Sequence, residues 1–132
     1  MDGPRLAIVG STDLLAPGGW DRADWLIRQA IVRLRPDVVI SGGAPGIDSL
    51  AEYIAGQFGY TEAAGSMVVH RPQHQRWRPD GFEARNLLIA RDCTHLLRIS
   101  CYRSRTYGSG WTADQAERAG AEVVRRVIGP IE

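Results

Sequence analysis

Short apolar runs alternate with amphipathic stretches along this chain. Leu6-Ala7-Ile8-Val9 is continuously apolar and breaks at Gly10-Ser11, as a strand buried on both faces does. From Trp20 to Leu34, apolar residues return at Trp25, Leu26, Ile27, Ala30, Ile31 and Leu34, close to the helical period, and Pro36 stops the stretch. Asp37 to Ile40 predicts a second strand. Ile47 to Phe58 predicts a helix with Leu50, Ala51, Ile54, Ala55 and Phe58 on one face, closed by Gly59. Met67-Val68-Val69 is a third strand, Gly81 to Arg91 a helix and His95 to Ile99 a fourth strand. Thr112 to Ala119 predicts a last helix, ended by Gly120, and Glu122 to Ile128 a fifth strand.

Strand and helix in regular alternation predict right-handed crossovers and a parallel sheet covered on both faces. The expected architecture is α/β: a single three-layer domain over residues 1–132 with a mostly parallel five-stranded sheet. In such sheets ligands lie beyond the carboxyl ends of the strands, so the residues that follow each strand are the candidates. Gly10-Ser11-Thr12-Asp13 follows the first strand. Ser41-Gly42-Gly43-Ala44-Pro45-Gly46 follows the second and opens a helix. Tyr107-Gly108-Ser109-Gly110-Trp111-Thr112 follows the fourth, past an irregular stretch, and opens another. Glycine lets a ligand approach the main chain, and free N–H groups at a helix start attract anions. Three small-residue turns on one rim therefore predict a site for a negatively charged group, above all a phosphate. Asp48 works against this, because a carboxylate in the first helical turn competes with an anion. Its expected role is helix capping or acceptance from a ribose hydroxyl.

Composition narrows the chemistry. The formal charge is +1, which gives no bulk attraction to nucleic acid. All 16 basic residues are arginine. Without lysine there is no Walker-type phosphate loop and no Schiff base. No apolar run approaches the roughly 18 residues of a membrane span, and the chain runs from Met1 to Arg5 straight into a strand-like segment. A cytoplasmic protein without membrane association is expected, with Cys93 and Cys101 as reduced thiols. The histidines and cysteines have no metal-site spacing, so neither a metal nor a cofactor is expected.

"SGGAPGIDSLAE", Ser41 to Glu52, resembles the SGGAxGxD-xxAE signature of the SLOG superfamily, a group of Rossmann-like domains that includes DprA and the Lonely Guy proteins. "VGST" at Val9 to Thr12 stands where that family has a strand followed by Gly-Ser. "WRPDGFEARNLLIA", Trp77 to Ala90, is similar to its tryptophan-then-Arg-Asn segment, and "GSGWTADQAERAG" to its terminal glycine-threonine turn and helix. The similarity covers nearly the whole chain and is nearest to the small stand-alone YpsA/YspA-related branch. It implies a nucleotide-like small molecule bound by Gly10, Ser11, Thr12, Ser41, Gly42, Gly43, Ala44, Gly46, Asp48, Arg85, Asn86, Ser109, Gly110 and Thr112, with Arg85 as the phosphate cation.

The Lonely Guy phosphoribohydrolases carry PGGxGTxxE, whose glutamate assists departure of the base. Here the proline is absent, Trp111 separates Gly110 from Thr112, and Gln115 stands where the glutamate should be. The remaining catalytic candidates are Asp48, Asp114 and Glu117. A binding or sensing module is therefore the leading expectation. An N-glycosidic-bond enzyme acting on nucleoside 5′-monophosphates is the alternative, and a DprA-like single-strand nucleic-acid binder the second alternative. Arg103 and Arg105 are expected to form a lid over the phosphates or a solvated loop. "HRPQHQRWRPD", from His70 to Asp80, mixes arginines with Trp77 as single-strand binders do, but it borders the same rim, so nucleic acid is not the expected partner. Large residues at Trp20, Trp25 and Leu26 predict a homodimer or higher oligomer through helices.

Overall fold

The computed structural model describes residues 3–13, 17–102 and 107–129. Five strands, β1 (Arg5–Gly10), β2 (Val38–Ser41), β3 (Met67–Val69), β4 (His95–Cys101) and β5 (Glu122–Ile128), alternate with four helices, α1 (Gly19–Leu34), α2 (Ile47–Gln57), α3 (Phe82–Asp92) and α4 (Tyr107–Arg118). The strands form one sheet in the order β3-β2-β1-β4-β5, and every pairing is parallel. The expectation of a mostly parallel sheet thus becomes an entirely parallel one.

The period-2 alternation of the strands divides the core. Leu6, Ile8, Val39, Leu97 and Ile99 point to one face and pack against Ala23, Ile27 and Ile31 of α1 and Ala51, Ile54 and Ala55 of α2. Ala7, Val9, Val38, Ile40 and Leu96 point to the other, against Ile89 and Ala90 of α3 and Ala113 and Ala116 of α4. The chain therefore travels from β1 to β3 with its helices, α1 and α2, on one face and from β3 through β4 to β5 with its helices, α3 and α4, on the other. Only that arrangement gives all four crossovers the same hand. It also puts the reversal of strand order between β1 and β4.

Two expectations are corrected. The last helix begins at Tyr107, not Thr112, so Gly108, Ser109 and Gly110 are its first turn rather than a loop before it. The helical glycines lie beside side chains of α3 and β4. A Cβ on Gly108 would stand 3.4 Å from Asn86 Nδ2, and one on Gly110 3.3 Å from the Arg98 guanidinium. The sheet is also not covered evenly. Most residues of β5 are exposed, and Val124 is open on the α1 face because α1 lies towards β1 and β4. Arg103 and Arg105 lie outside the described residues.

Candidate functional site

The end of β1 is joined by main-chain hydrogen bonds to β4 and to the start of α2. Ser11 N–H donates to Ile99 C=O at 3.1 Å, and Ile47 N–H donates to Ser11 C=O at 3.0 Å. A Cβ on Gly46, whose φ is +85°, would lie 2.3 Å from that Ser11 oxygen, and a Cβ on Gly10 would lie 2.0 Å from Ile99 C=O. These two glycines let strand ends and the α2 start touch; they are bare for the chain's own sake. Ser11 is buried, and its hydroxyl accepts Cys101 N–H at 3.2 Å.

Gly42 is bare for a different reason. A Cβ there would stand 2.8 Å from both Arg85 Nη1 and Asp48 Oδ2. The Arg85 guanidinium is brought from α3, where the helical turn after Gly81 aims it at the end of β2. Its Nη1 donates to Gly42 C=O and its Nε to Asn86 Oδ1 at 2.6 Å, while its carbon lies 5.4 Å from the Phe82 ring centre. Nη2 makes no hydrogen bond among the described residues and is not fully buried, and Arg85 lines the pocket described below. Burial lowers the Arg85 pKa and the charge of Asp48 raises it.

Asp48 occupies the N-terminal turn of α2. It is buried, and Oδ2 accepts Ala44 N–H at 3.3 Å. Gly43 N–H donates to Ser41 Oγ at 3.2 Å, and that hydroxyl donates to Glu52 Oε2 at 2.7 Å. Several of the N–H groups expected to await an anion are therefore held by the protein's own oxygens. Desolvation pushes the Asp48 carboxyl up to about 7, against the opposing pull of the Ala44 N–H and the Arg85 charge.

Most of these groups line one pocket of about 360 Å³ at the carboxyl ends of β1 and β2, with β1 one of the two strands at which the order reverses. Of the residues named from sequence, it holds Gly10, Ser11, Thr12, Gly42, Gly43, Ala44, Asp48, Arg85, Asn86, Ser109 and Thr112. Ser41, Gly46 and Gly110 stand behind the lining. The Thr112 hydroxyl donates to Gly108 C=O at 2.7 Å, and Ser109 Oγ accepts Arg98 Nε at 3.0 Å. Asp114 and Glu117 are elsewhere: both reach Arg125 of β5, at 2.9 and 3.4 Å.

Other lining residues were not named singly as contacts. Pro72, Gln75 and Trp77 come from the His70–Asp80 segment, which borders the site as anticipated, Tyr107 from the expected turn after the fourth strand, and Phe82 from α3. Trp77 packs edge-on against Tyr107 and Trp111, with ring centres 5.3 Å apart in both pairs. The signal for this wall was the concentration of aromatics at positions 77, 82, 107 and 111, but nothing local says that they meet. The arginines nearby are engaged: Arg71 pairs with Glu62 at 3.1 Å, Arg78 with Glu83 at 2.8 Å, and Arg76 Nε donates to Pro79 C=O at 2.9 Å. His70 is bound to Asp92 at 2.9 Å.

Neither protein-family models, curated proteins nor solved structures give a match to this chain. Among the described residues, no group of three or more metal-ligating side chains occurs and no helix is long and apolar enough to cross a membrane.

Proposed function

We propose that this chain binds a nucleotide or nucleotide-derived phosphorylated ligand in the pocket at the β1–β4 reversal, as a binding or sensing module. One observation carries the reading. A single cavity combines an aromatic wall, built around Trp77, with a buried guanidinium that keeps one donor uncommitted. A base is flat and apolar on its faces; a phosphate is an anion with paired oxygens. Those are the two surfaces the cavity offers, and about 360 Å³ lies within the range for small-molecule sites. Asp48, between them, suits a ribose hydroxyl better than a phosphate oxygen, because its carboxylate repels an anion.

The enzymatic alternative, hydrolysis at an N-glycosidic bond, draws support from Asp48 alone. A pocket-lining carboxyl with a pKa of about 7 is matched to proton transfer near neutrality. Asp114 and Glu117 give that alternative no support, since both are engaged by Arg125 outside the pocket. The single-strand reading is weaker, because the basic segment spends its charges on neighbouring carboxylates and carbonyls.

Calorimetry with a panel of nucleoside 5′-monophosphates and 5′-diphosphates tests the proposal. At least one should bind, and Arg85→Gln and Trp77→Leu should each weaken it by about tenfold or more while the far-ultraviolet circular dichroism stays native. No binding across the panel, or full affinity in folded Arg85→Gln, would overturn it. Free-base release from the same panel, abolished in Asp48→Asn, would move the assignment to the enzyme.

A further inference from the structure

The outer strand β5 has an open edge whose chemistry is self-complementary. Glu122 N–H donates to Thr94 C=O at one end of the β4–β5 ladder, and Tyr102 N–H donates to Ile128 C=O at the other. With His95 opposite Glu122 and Cys101 opposite Ile128, the even residues of β5 spend their N–H and C=O groups on β4. Val123, Arg125 and Val127 therefore turn theirs outward, and no described strand lies beyond. Arg126 Nη1 donates to Arg125 C=O at 3.2 Å, so the side chain folds over this edge and covers one of its acceptors.

Side chains of the even residues point to the α1 face. There Glu122, Val124 and Arg126 floor a groove whose other wall carries Trp25 of α1. Val124 and Trp25 are 39% and 47% exposed, a good deal for apolar groups that share a groove.

We propose that β5 pairs antiparallel with β5 of a second copy, about a twofold axis at Val124, to make one continuous ten-stranded sheet. The outward hydrogen-bonding groups admit only registers that put odd residues opposite odd ones. Among these, centring on Val124 sets Val123 against Arg125 of the second copy, Val124 against Val124, and Glu122 against Arg126 on the groove face, twice by symmetry. Centring on Arg125 would oppose two arginines, and centring on Val123 would leave Glu122 opposite Val124. Arginines on an edge ordinarily prevent such pairing. Here Arg126 exchanges a carbonyl of its own strand for a carboxylate of the other, and Arg125 C=O accepts Val123 N–H instead. Glu122 keeps one oxygen for His95, at 3.1 Å, and has the other for the new partner. The occupant is a second copy because the same strand supplies both charges in the spacing that pairs them.

Sedimentation equilibrium of the full chain at tens of micromolar in about 0.15 M salt reads the assembly. A dimer is expected. Glu122→Arg and Arg126→Glu should each weaken it by about tenfold or more, since each sets like charges opposite one another. The double exchange should restore it to within about threefold. Oxidation of Val124→Cys should give a disulfide-linked dimer, and Arg125→Cys should not, because only position 124 meets itself across a closely spaced, non-hydrogen-bonded pair. A monomer at about 100 μM, a dimer indifferent to both single exchanges, a double exchange that fails to restore it, or faster linkage through Arg125→Cys would each overturn the proposal. If the charge variants misfold, the two cysteine variants decide it alone.

Discussion

At the residue scale, Asp48 and Cys93 owe their properties to burial, with opposite consequences for use. Burial lifts the Asp48 carboxyl from 3.8 to about 7. The folded state therefore holds a proton that the unfolded chain releases, and the stabilisation this gives is complete below about pH 4 and lost as pH rises through about 7. Asp48→Asn cannot titrate, so its melting temperature relative to the parent should rise between about pH 4 and pH 7 and level off above that. A constant difference across that interval would show that Asp48 is ionised throughout. Cys93 is raised to about 11 by burial, which leaves almost no thiolate near neutrality. Cys93 should react with a disulfide reagent at pH 8 only as fast as the protein unfolds, as mass mapping of the labelled thiol would report. Gly10 is fixed by contact: a Cβ 2.0 Å from Ile99 C=O meets backbone that cannot rotate away. Gly10→Ala should cost at least about 3 kcal/mol in urea unfolding, the upper part of the overpacking range.

At the element scale, α3 and α4 do more for the pocket than the glycine turns. Helix α3 delivers Arg85 and Asn86, and α4 packs against it through Gly108, whose carbonyl accepts Asn86 Nδ2 at 3.4 Å. Trp77, in the connection before α3, ties the two together through Tyr107 and Trp111. Each edge-on aromatic pair contributes about 0.5–1.5 kcal/mol beyond its area. Trp77→Ala should therefore lower unfolding free energy by about 1–3 kcal/mol from the two pairs and remove much of the near-ultraviolet dichroism. A loss below about 0.5 kcal/mol would mean that the cluster does not hold α4 in place.

For the whole molecule, the two core clusters share the same strands. Leu6 and Ile8 face α1 and α2 while Ala7 and Val9 face α3 and α4, so neither layer can open without exposing the sheet beneath the other. Far-ultraviolet dichroism, which follows the helices, and the fluorescence of a Trp20→Phe, Trp25→Phe variant, which follows Trp77 and Trp111 at the rim, should give coincident urea transitions. Separate midpoints would show that the α3–α4 side, and the pocket with it, unfolds on its own.

The sequence alone determined the element types and their order, because a strand buried on two faces must be apolar throughout and a surface helix must repeat its apolar face. Leu6 to Val9 and Ile47 to Phe58 carry that signal without help from distant residues. It also located the ends of β1 and β2 as the candidate rim, through glycines at 10, 42, 43 and 46. What those glycines are for was decided by the tertiary structure. Gly10 and Gly46 admit neighbouring backbone, and Gly42 admits Arg85 from a segment 43 positions away. The start of α4 was equally illegible, since Gly-Ser-Gly reads locally as a turn, and it is helical where it lies beside Asn86 of α3 and Arg98 of β4. The open face of β5 followed from where α1 lies, and the aromatic wall from the meeting of separate segments. Local sequence specifies backbone preference and which side of an element is apolar; it carries no record of which elements become neighbours, and a pocket or an edge exists only between neighbours.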